Sequence, residues 1–137
     1  NIGFILQHFA LIKNRSIFYN IALPLKYKDM DKKEIRERVF TIADSLGISH
    51  KLEMYPPMLS GGECQRAAIA RAVVSNPKVI LADEPTNSLD DDNKYEVLDI
   101  LKGLNKKGIT IIIATHDDTV ARICDRKIHI RNGSIIS

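Results

Sequence analysis

Residues 79–90 read VILADEPTNSLD, and the fold can be worked outward from this stretch. Val79 to Ala82 is a short, fully apolar run that stops at two adjacent carboxylates, Asp83 and Glu84. Such a run, bounded by polar residues, predicts a buried strand. Downstream, Asp92 to Asn105 carries Tyr95, Leu98, Leu101 and Leu104 at helical intervals, and Ile109 to Ala114 is again apolar and β-branched. Strand, helix, strand is a βαβ unit, and continuous apolar strands imply a parallel sheet buried on both faces by helices. After a further helix over about 118–124, KIHI and SIIS flank Asn132-Gly133, a strong hairpin signal, so an antiparallel edge should end the chain. The fold class is α/β.

Upstream, residues 10–58 read as helices with loops. Asp31 and Glu34 have the spacing of an N-cap and its N3 partner. Ile35, Val39, Ile42 and Leu46 follow at helical spacing, and Gly47 supplies a stop. Pro24, Pro56 and Pro57 break regular structure around that helix. The division expected is a helical subdomain over about 10–75 and a core made of about 1–9 and 76–137.

Chemistry enters where the strands end. Asp83 and Glu84 follow the first apolar strand, and Thr115 and His116 follow the second, at the sheet edge where open α/β folds bind ligands. Two neighbouring carboxylates resist joint ionisation unless a cation or proton takes up charge. Hard oxygen ligands suit Mg²⁺ held together with substrate phosphates, and the second carboxylate can orient or deprotonate a water. Taken alone, the pair also fits an ordinary strand-to-turn junction.

A second feature lies at residues 59–66, LSGGECQR. Ser60 and Glu63 have capping-box spacing, and Ala67 to Val74 continue as a small-residue helix closed by Asn76-Pro77. Gly61 and Gly62 in the first turn each cost about 0.5–1 kcal/mol relative to Ala. Close backbone approach to a phosphate at a helix N-terminus would offset that cost; a tight entry turn without ligand is the bland alternative.

Composition narrows the class. The 137 residues are 45% hydrophobic and 27% charged, enough for a core without disulfides. A net charge of +3, with Asp29, Asp31, Glu34 and Glu37 interleaved among the basic residues from Lys26 to Arg38, gives no nucleic-acid footprint. Cys64 and Cys124 stand apart without metal-ligand spacing and fit reduced thiols. No apolar run approaches the ~18 residues that span a bilayer. The opening at Asn1, directly before the apolar run Ile2 to Leu6, reads as a cut.

LSGGECQRAAIARA, then PKVILADEPTNSLD, then IIIATHD resembles the signature, Walker B, D-loop and switch-histidine series of the ATP-binding cassette (ABC) transporter ATPases. IGFILQHFALI resembles the strand and Q-loop leading into that family's helical subdomain. The resemblance spans nearly the whole chain and implies a P-loop NTPase (RecA-like) core. By it, Gln7 touches Mg²⁺ and the attacking water, Asp83 assists Mg²⁺, and Glu84 polarises the water. His116 holds the γ-phosphate and Asp90 reaches across a dimer. Ser60 and Gly62 bind the γ-phosphate of an ATP held by a second, opposed cassette, with Gly61 and Glu63 shaping the turn. The implied cofactors are ATP and Mg²⁺. The implied partners are a second ATPase subunit and a membrane permease, with the protein cytoplasmic and peripheral on the inner face of the cell membrane.

One element of the family pattern is missing from these residues: the phosphate loop G-x-x-x-x-G-K-[ST]. The expectation is therefore the larger, C-terminal portion of a nucleotide-binding domain, weak in ATP binding by itself, with the phosphate loop upstream. LSGGE and EPTN also occur in a ribosome-associated branch, but QRAAIARA and ATHD look more like a transporter cassette. No coiled-coil insertion separates Gln7 from Ser60, which argues against the chromosome-maintenance relatives. YNIALPL (19–25), YPPMLSGGE (55–63) and LADEPTNSLD resemble the lipoprotein-releasing, macrolide-export and bacteriocin-export subgroup, in which residues 8–25 would meet the permease. A non-catalytic module derived from the fold is the remaining alternative, disfavoured by the intact Asp83, Glu84 and His116.

Overall fold

The computed structural model describes residues 1–136. Three parallel strands form the main sheet in the order β1 (Ile2–Ile5), β2 (Val79–Asp83), β3 (Thr110–Ala114). The register aligns Ile5 with Ala82 and Ile113, so the carboxyl ends of all three strands lie along one edge. The strands at 79–83 and 110–114 and the parallel pairing agree with the sequence reading.

Among the described residues helices cover one face of this sheet. Helices α3 (Gly61–Val73) and α4 (Asp91–Lys106) pack on one face, where Ile5, Ile80 and Ala82 meet Ile69, Ala72, Val73, Val97 and Leu101. The opposite face leaves Ile2, Phe4 and Ile112 at least half exposed. Apolar runs look the same whichever face is covered, so the sequence could not distinguish the cases.

Helix α4 begins one residue earlier than its apolar pattern suggests, because Asp90 caps it through the Asn93 N–H at 2.9 Å. Tyr95 does not join the buried stripe and is 55% exposed. Val97 replaces it. Two positions along a helix turn roughly 200° around the axis, which puts Tyr95 opposite the buried Val97.

The helical part is built by α1 (Ile17–Ala22), α2 (Lys32–Ser45) and one side of α3 around Ile17, Ile21, Leu25, Val39, Ala43, Ile48, Ala67 and Ala70. The Asp31 carboxylate accepts from the Glu34 N–H at 2.8 Å, and Gly47 at φ 74° ends the α2 turn, both as expected. Ile35, Ile42 and Leu46 pack partly buried against this cluster beside the buried Val39.

Helix α1 went unread. Its start is set by Ser16, whose hydroxyl accepts from the Tyr19 N–H, and by Asn20, which is fully buried. The Asn20 side chain accepts from the Ile12 N–H and donates to the Ile12, Arg15 and Ser16 carbonyls, so the preceding loop folds around one satisfied amide.

Helix α5 (Asp118–Arg122) is close to its expected span. The hairpin β4 (His129–Arg131) and β5 (Ser134–Ile136) turns through Asn132 and Gly133 at φ 51° and 75°. It forms its own two-stranded sheet rather than an edge of the main one. The expected strand SIIS ends at Ser137, which lies outside the described residues.

Candidate functional site

The parallel register brings Gln7, the Asp83–Glu84 pair and the Thr115–His116 pair to neighbouring strand ends. Glu84 sits at φ 45°, with its N–H donating to the Ala114 carbonyl at 2.9 Å. A non-glycine residue in that region costs roughly 1–3 kcal/mol, and persists because its surroundings fix it. Here the next strand does so.

The Glu84 carboxylate is gripped from β3's exit. One oxygen (Oε1) accepts from the His116 backbone N–H at 3.0 Å and from His116 Nδ1 at 2.5 Å; the other (Oε2) accepts from the Thr115 hydroxyl at 3.1 Å. Partial burial pushes this carboxyl up, but the His116 side chain, the His116 backbone and Thr115 together outweigh it and hold Glu84 below its ordinary value. The group is an ionised acceptor at neutral pH. Of its roughly four lone-pair sites, three are filled, and the open one lies on Oε2, where a water can bind. A carboxylate next to Nδ1 places the ring proton there, which leaves Nε2 of a ring that is 79% exposed as the contact for a ligand.

Asp83 is exposed and makes no side-chain hydrogen bond among the described residues, so its oxygens remain available to a hard cation. One or two carboxylates completed by phosphate oxygens and water is how Mg²⁺ is usually held, and the exposed Asp83 meets that demand. Gln7 is likewise exposed, at the first residue pair beyond β1.

The signature turn opens helix α3. Ser60 and Glu63 form the full reciprocal box: the Glu63 N–H donates to Ser60 Oγ at 3.2 Å, and the Ser60 N–H donates to Glu63 Oε1 at 3.0 Å. The Ser60 backbone N–H holds the Glu63 carboxyl below its ordinary value, assisted by Lys51 at 3.6 Å and opposed by burial. The box consumes two donors. Those of Gly61 and Gly62 are left for an anion, together with the Ser60 hydroxyl proton.

Gly62 also answers to packing within the chain. A Cβ there would collide with the Asn93 side chain, its Oδ1 first and its Cγ at 2.5 Å, so the close approach that requires glycine is to helix α4 of the same chain. Gly61, by contrast, is open enough for a Cβ at ordinary distances from Leu89, Phe9 and Ser88.

Asp90 is also differently employed. Its Oδ1 takes both the Asn93 N–H and the Asn93 amide group at 3.0 Å, so only Oδ2 is free to act beyond its own helix.

Other contributors were missed by the sequence. Gln65, 2% exposed, donates from Nε2 to the Pro85 carbonyl directly after Glu84. Lys94 pairs with Asp117, which caps α5 through the Thr119 N–H and follows His116. Arg66 pairs with Glu96 at 2.8 Å, joining α3 to α4. Thr115 was noticed only as a polar residue after a strand. The pairings of Gln65, Lys94 and Arg66 have no sequence signal, since which helix faces meet is settled by packing.

The chain belongs to the ABC transporter family, whose pattern matches residues 1–87. It is 47% identical over 137 residues to the methionine import ATP-binding protein MetN 1 of Salmonella choleraesuis (strain SC-B67), covering 98% of this chain and 40% of that protein. It is 45% identical over 134 residues to the uncharacterized ABC transporter ATP-binding protein MJ1508 of Methanocaldococcus jannaschii, covering 98% of this chain and 60% of that one. Among solved structures it resembles the dimeric bacterial ABC transporter cassette MJ0796, with TM-score 0.87, 38% identity, and 98% and 60% of the two chains covered. The post-hydrolysis dimer of that cassette, bound to ADP and Pi, matches at TM-score 0.86 with the same identity and coverage. The 137 residues thus span about 40–60% of these relatives.

Proposed function

We propose that this chain is the larger, C-terminal portion of the nucleotide-binding domain of an ATP-hydrolysing subunit that energises a membrane permease, with a phosphate loop supplied by residues outside these 137. The observation that carries the reading is the convergence of Gln7, Asp83, Glu84, Thr115 and His116 on one sheet edge, with Glu84 ionised and held. In this reading Glu84 Oε2 binds the attacking water and draws on its proton. His116 Nε2 contacts the terminal phosphate, Gln7 orients the water, and Asp83 holds Mg²⁺, which supplies charge neutralisation on the phosphates. Ser60, Gly61 and Gly62 serve a nucleotide on a second cassette, and the dimeric MJ0796 cassette supports such a pairing. Asp90 Oδ2 is the atom left to cross the dimer. No helix among the described residues is long and apolar enough to cross a membrane. The proposed location, from membership of the ABC transporter family, is cytoplasmic, against the permease at the inner face.

The two apolar clusters support the division into a helical subdomain, about 10–75, and a core of about 1–9 and 76–137, with α3 contributing to both. Between α1 and α2 a cavity of about 340 Å³ is lined by Phe18, Lys32, Ile35, Arg36 and Glu53. It adjoins the stretch 8–25 proposed to receive the permease. Phe18→Asp in the full-length transporter is expected to abolish transport while basal MgATPase stays within about twofold of wild type. Parallel loss of both activities would remove residues 8–25 as the coupling contact.

The finer assignment, to the lipoprotein-releasing, macrolide-export and bacteriocin-export subgroup, rests on YNIALPL, YPPMLSGGE and LADEPTNSLD. The methionine-import relatives weigh against it. In proteoliposomes, ATP-driven release from the membrane or export is the expected direction. Uptake driven by the same cassette would overturn the subgroup while leaving the ATPase reading intact.

A further inference from the structure

Directly after Gln7 the backbone does something unusual for L-residues. His8, Phe9 and Ala10 occupy the left-handed region in succession, at φ 57°, 68° and 51°. None is glycine, and Ala10 has no side-chain hydrogen bond with which to favour that region. Internally the turn has one short bond, from the Ala10 N–H to the His8 carbonyl at 2.8 Å. Something outside the segment must hold it.

That partner is Arg71, on the signature helix α3 and 61 and 62 residues away in sequence. Its guanidinium donates through one terminal nitrogen to the Ala10 carbonyl at 2.7 Å and through the other to the Phe9 carbonyl at 2.9 Å. Successive left-handed residues point their carbonyls to one side, and the planar fork of an arginine matches two such acceptors where a lysine ammonium would not. The guanidinium is substantially desolvated, which lowers its proton affinity and strengthens both hydrogen bonds. Two further contacts fix the segment's flanks. His8 Nδ1 lies 3.3 Å from the Ser88 hydroxyl, and the Phe9 ring comes close to Gly61 in the signature turn.

We infer that Arg71 is a positioning residue: its fork latches residues 8–10 in the left-handed turn, and through that turn sets Gln7 against the strand ends that carry Asp83 and Glu84. The latch ties the placement of Gln7 to α3, so a shift of the signature helix reaches the Gln7 backbone without passing through the sheet. This rests on the proposed ATPase reading.

The test uses the full-length protein and compares wild type, Arg71→Lys, Arg71→Met, Ala10→Gly, and Arg71→Met combined with Ala10→Gly. If wild type shows no MgATP hydrolysis, the ATPase reading itself fails. Given wild-type activity, Arg71→Met is expected to lower kcat at least about tenfold with KM changed by less than about threefold, as for loss of a group aligned for the reaction. Arg71→Lys should fall between the two. Glycine at position 10 removes the backbone penalty that the latch offsets, so the double variant should recover to within about threefold of wild type. Amide exchange in Arg71→Lys should quicken at residues 7–11 alone. Wild-type kcat in Arg71→Met, no recovery with Ala10→Gly, or quickened exchange throughout α3 would each make Arg71 an ordinary helix-packing residue and overturn the inference. If Arg71→Met fails to fold, the exchange pattern and kcat of Arg71→Lys decide between the same two outcomes.

Discussion

Glu84→Gln in the full-length protein is expected to lower kcat for MgATP hydrolysis about 100-fold or more, the usual loss for removal of a positioned general base. Binding should persist. The amide is nearly isosteric, its oxygen can accept both His116 donors, and the Thr115 hydroxyl can turn its proton away from the new NH₂ group. Thermal stability at neutral pH should fall only by the modest preference of the site for the charged form, and KM should stay near the wild-type value, which separates lost chemistry from lost structure. Hydrolysis within about threefold of wild type would take Glu84 out of the mechanism.

The same substitution has a pH signature. Glu84 is held below its ordinary carboxyl value in the folded state, so its contribution to stability is present above the unfolded value of 4.5 and is lost as pH falls through the folded one. In acid unfolding below about pH 4.5, wild type should lose stability more steeply than Glu84→Gln. Identical acid limbs for the two proteins would mean that the His116 and Thr115 hydrogen bonds do not persist in solution.

Gly62→Ala should also produce a large effect, and for a reason inside the chain. The added methyl meets the Asn93 side chain, which can escape only by giving up its 3.0 Å hydrogen bond to Asp90. Overpacking of this kind costs about 1–3 kcal/mol, and the shifted α3 N-terminus also displaces the Gly61 and Gly62 donors, so ATPase activity is expected to fall about tenfold. Gly61→Ala, with a Cβ 3.6 Å from its nearest neighbour, should be far milder in thermal unfolding. In an Asn93→Ala background the Gly62→Ala penalty should drop below half, as a double-mutant cycle between touching residues requires. A penalty unchanged by Asn93→Ala would show that the glycine answers to some other contact.

These predictions mark where sequence reading succeeds and where it stops. The capping box at Ser60 and Glu63, the cap at Asp31 and the Asn132-Gly133 turn were legible because each is a local bond between residues a few positions apart. The strands at 79–83 and 110–114 were legible from apolar runs, and their polar exits pointed to Asp83, Glu84, Thr115 and His116 as one edge. Tyr95 was misread for a related reason: its helical spacing was correct, but Val97 fits the side facing the sheet.

By itself, then, the sequence determined the α/β class, the starts of α2 and α3 and the strand-end carboxylates, all properties of neighbouring residues whose periodicity and hydrogen bonding are short in range. Only the tertiary structure decided which sheet face α3 and α4 cover, that Gly62 makes room for Asn93, that His116 grips Glu84, and that Arg71 holds the turn after Gln7. The last three contacts join residues 31 to 62 positions apart, and all exist because buried surfaces must interlock at close packing, a constraint that no local pattern encodes.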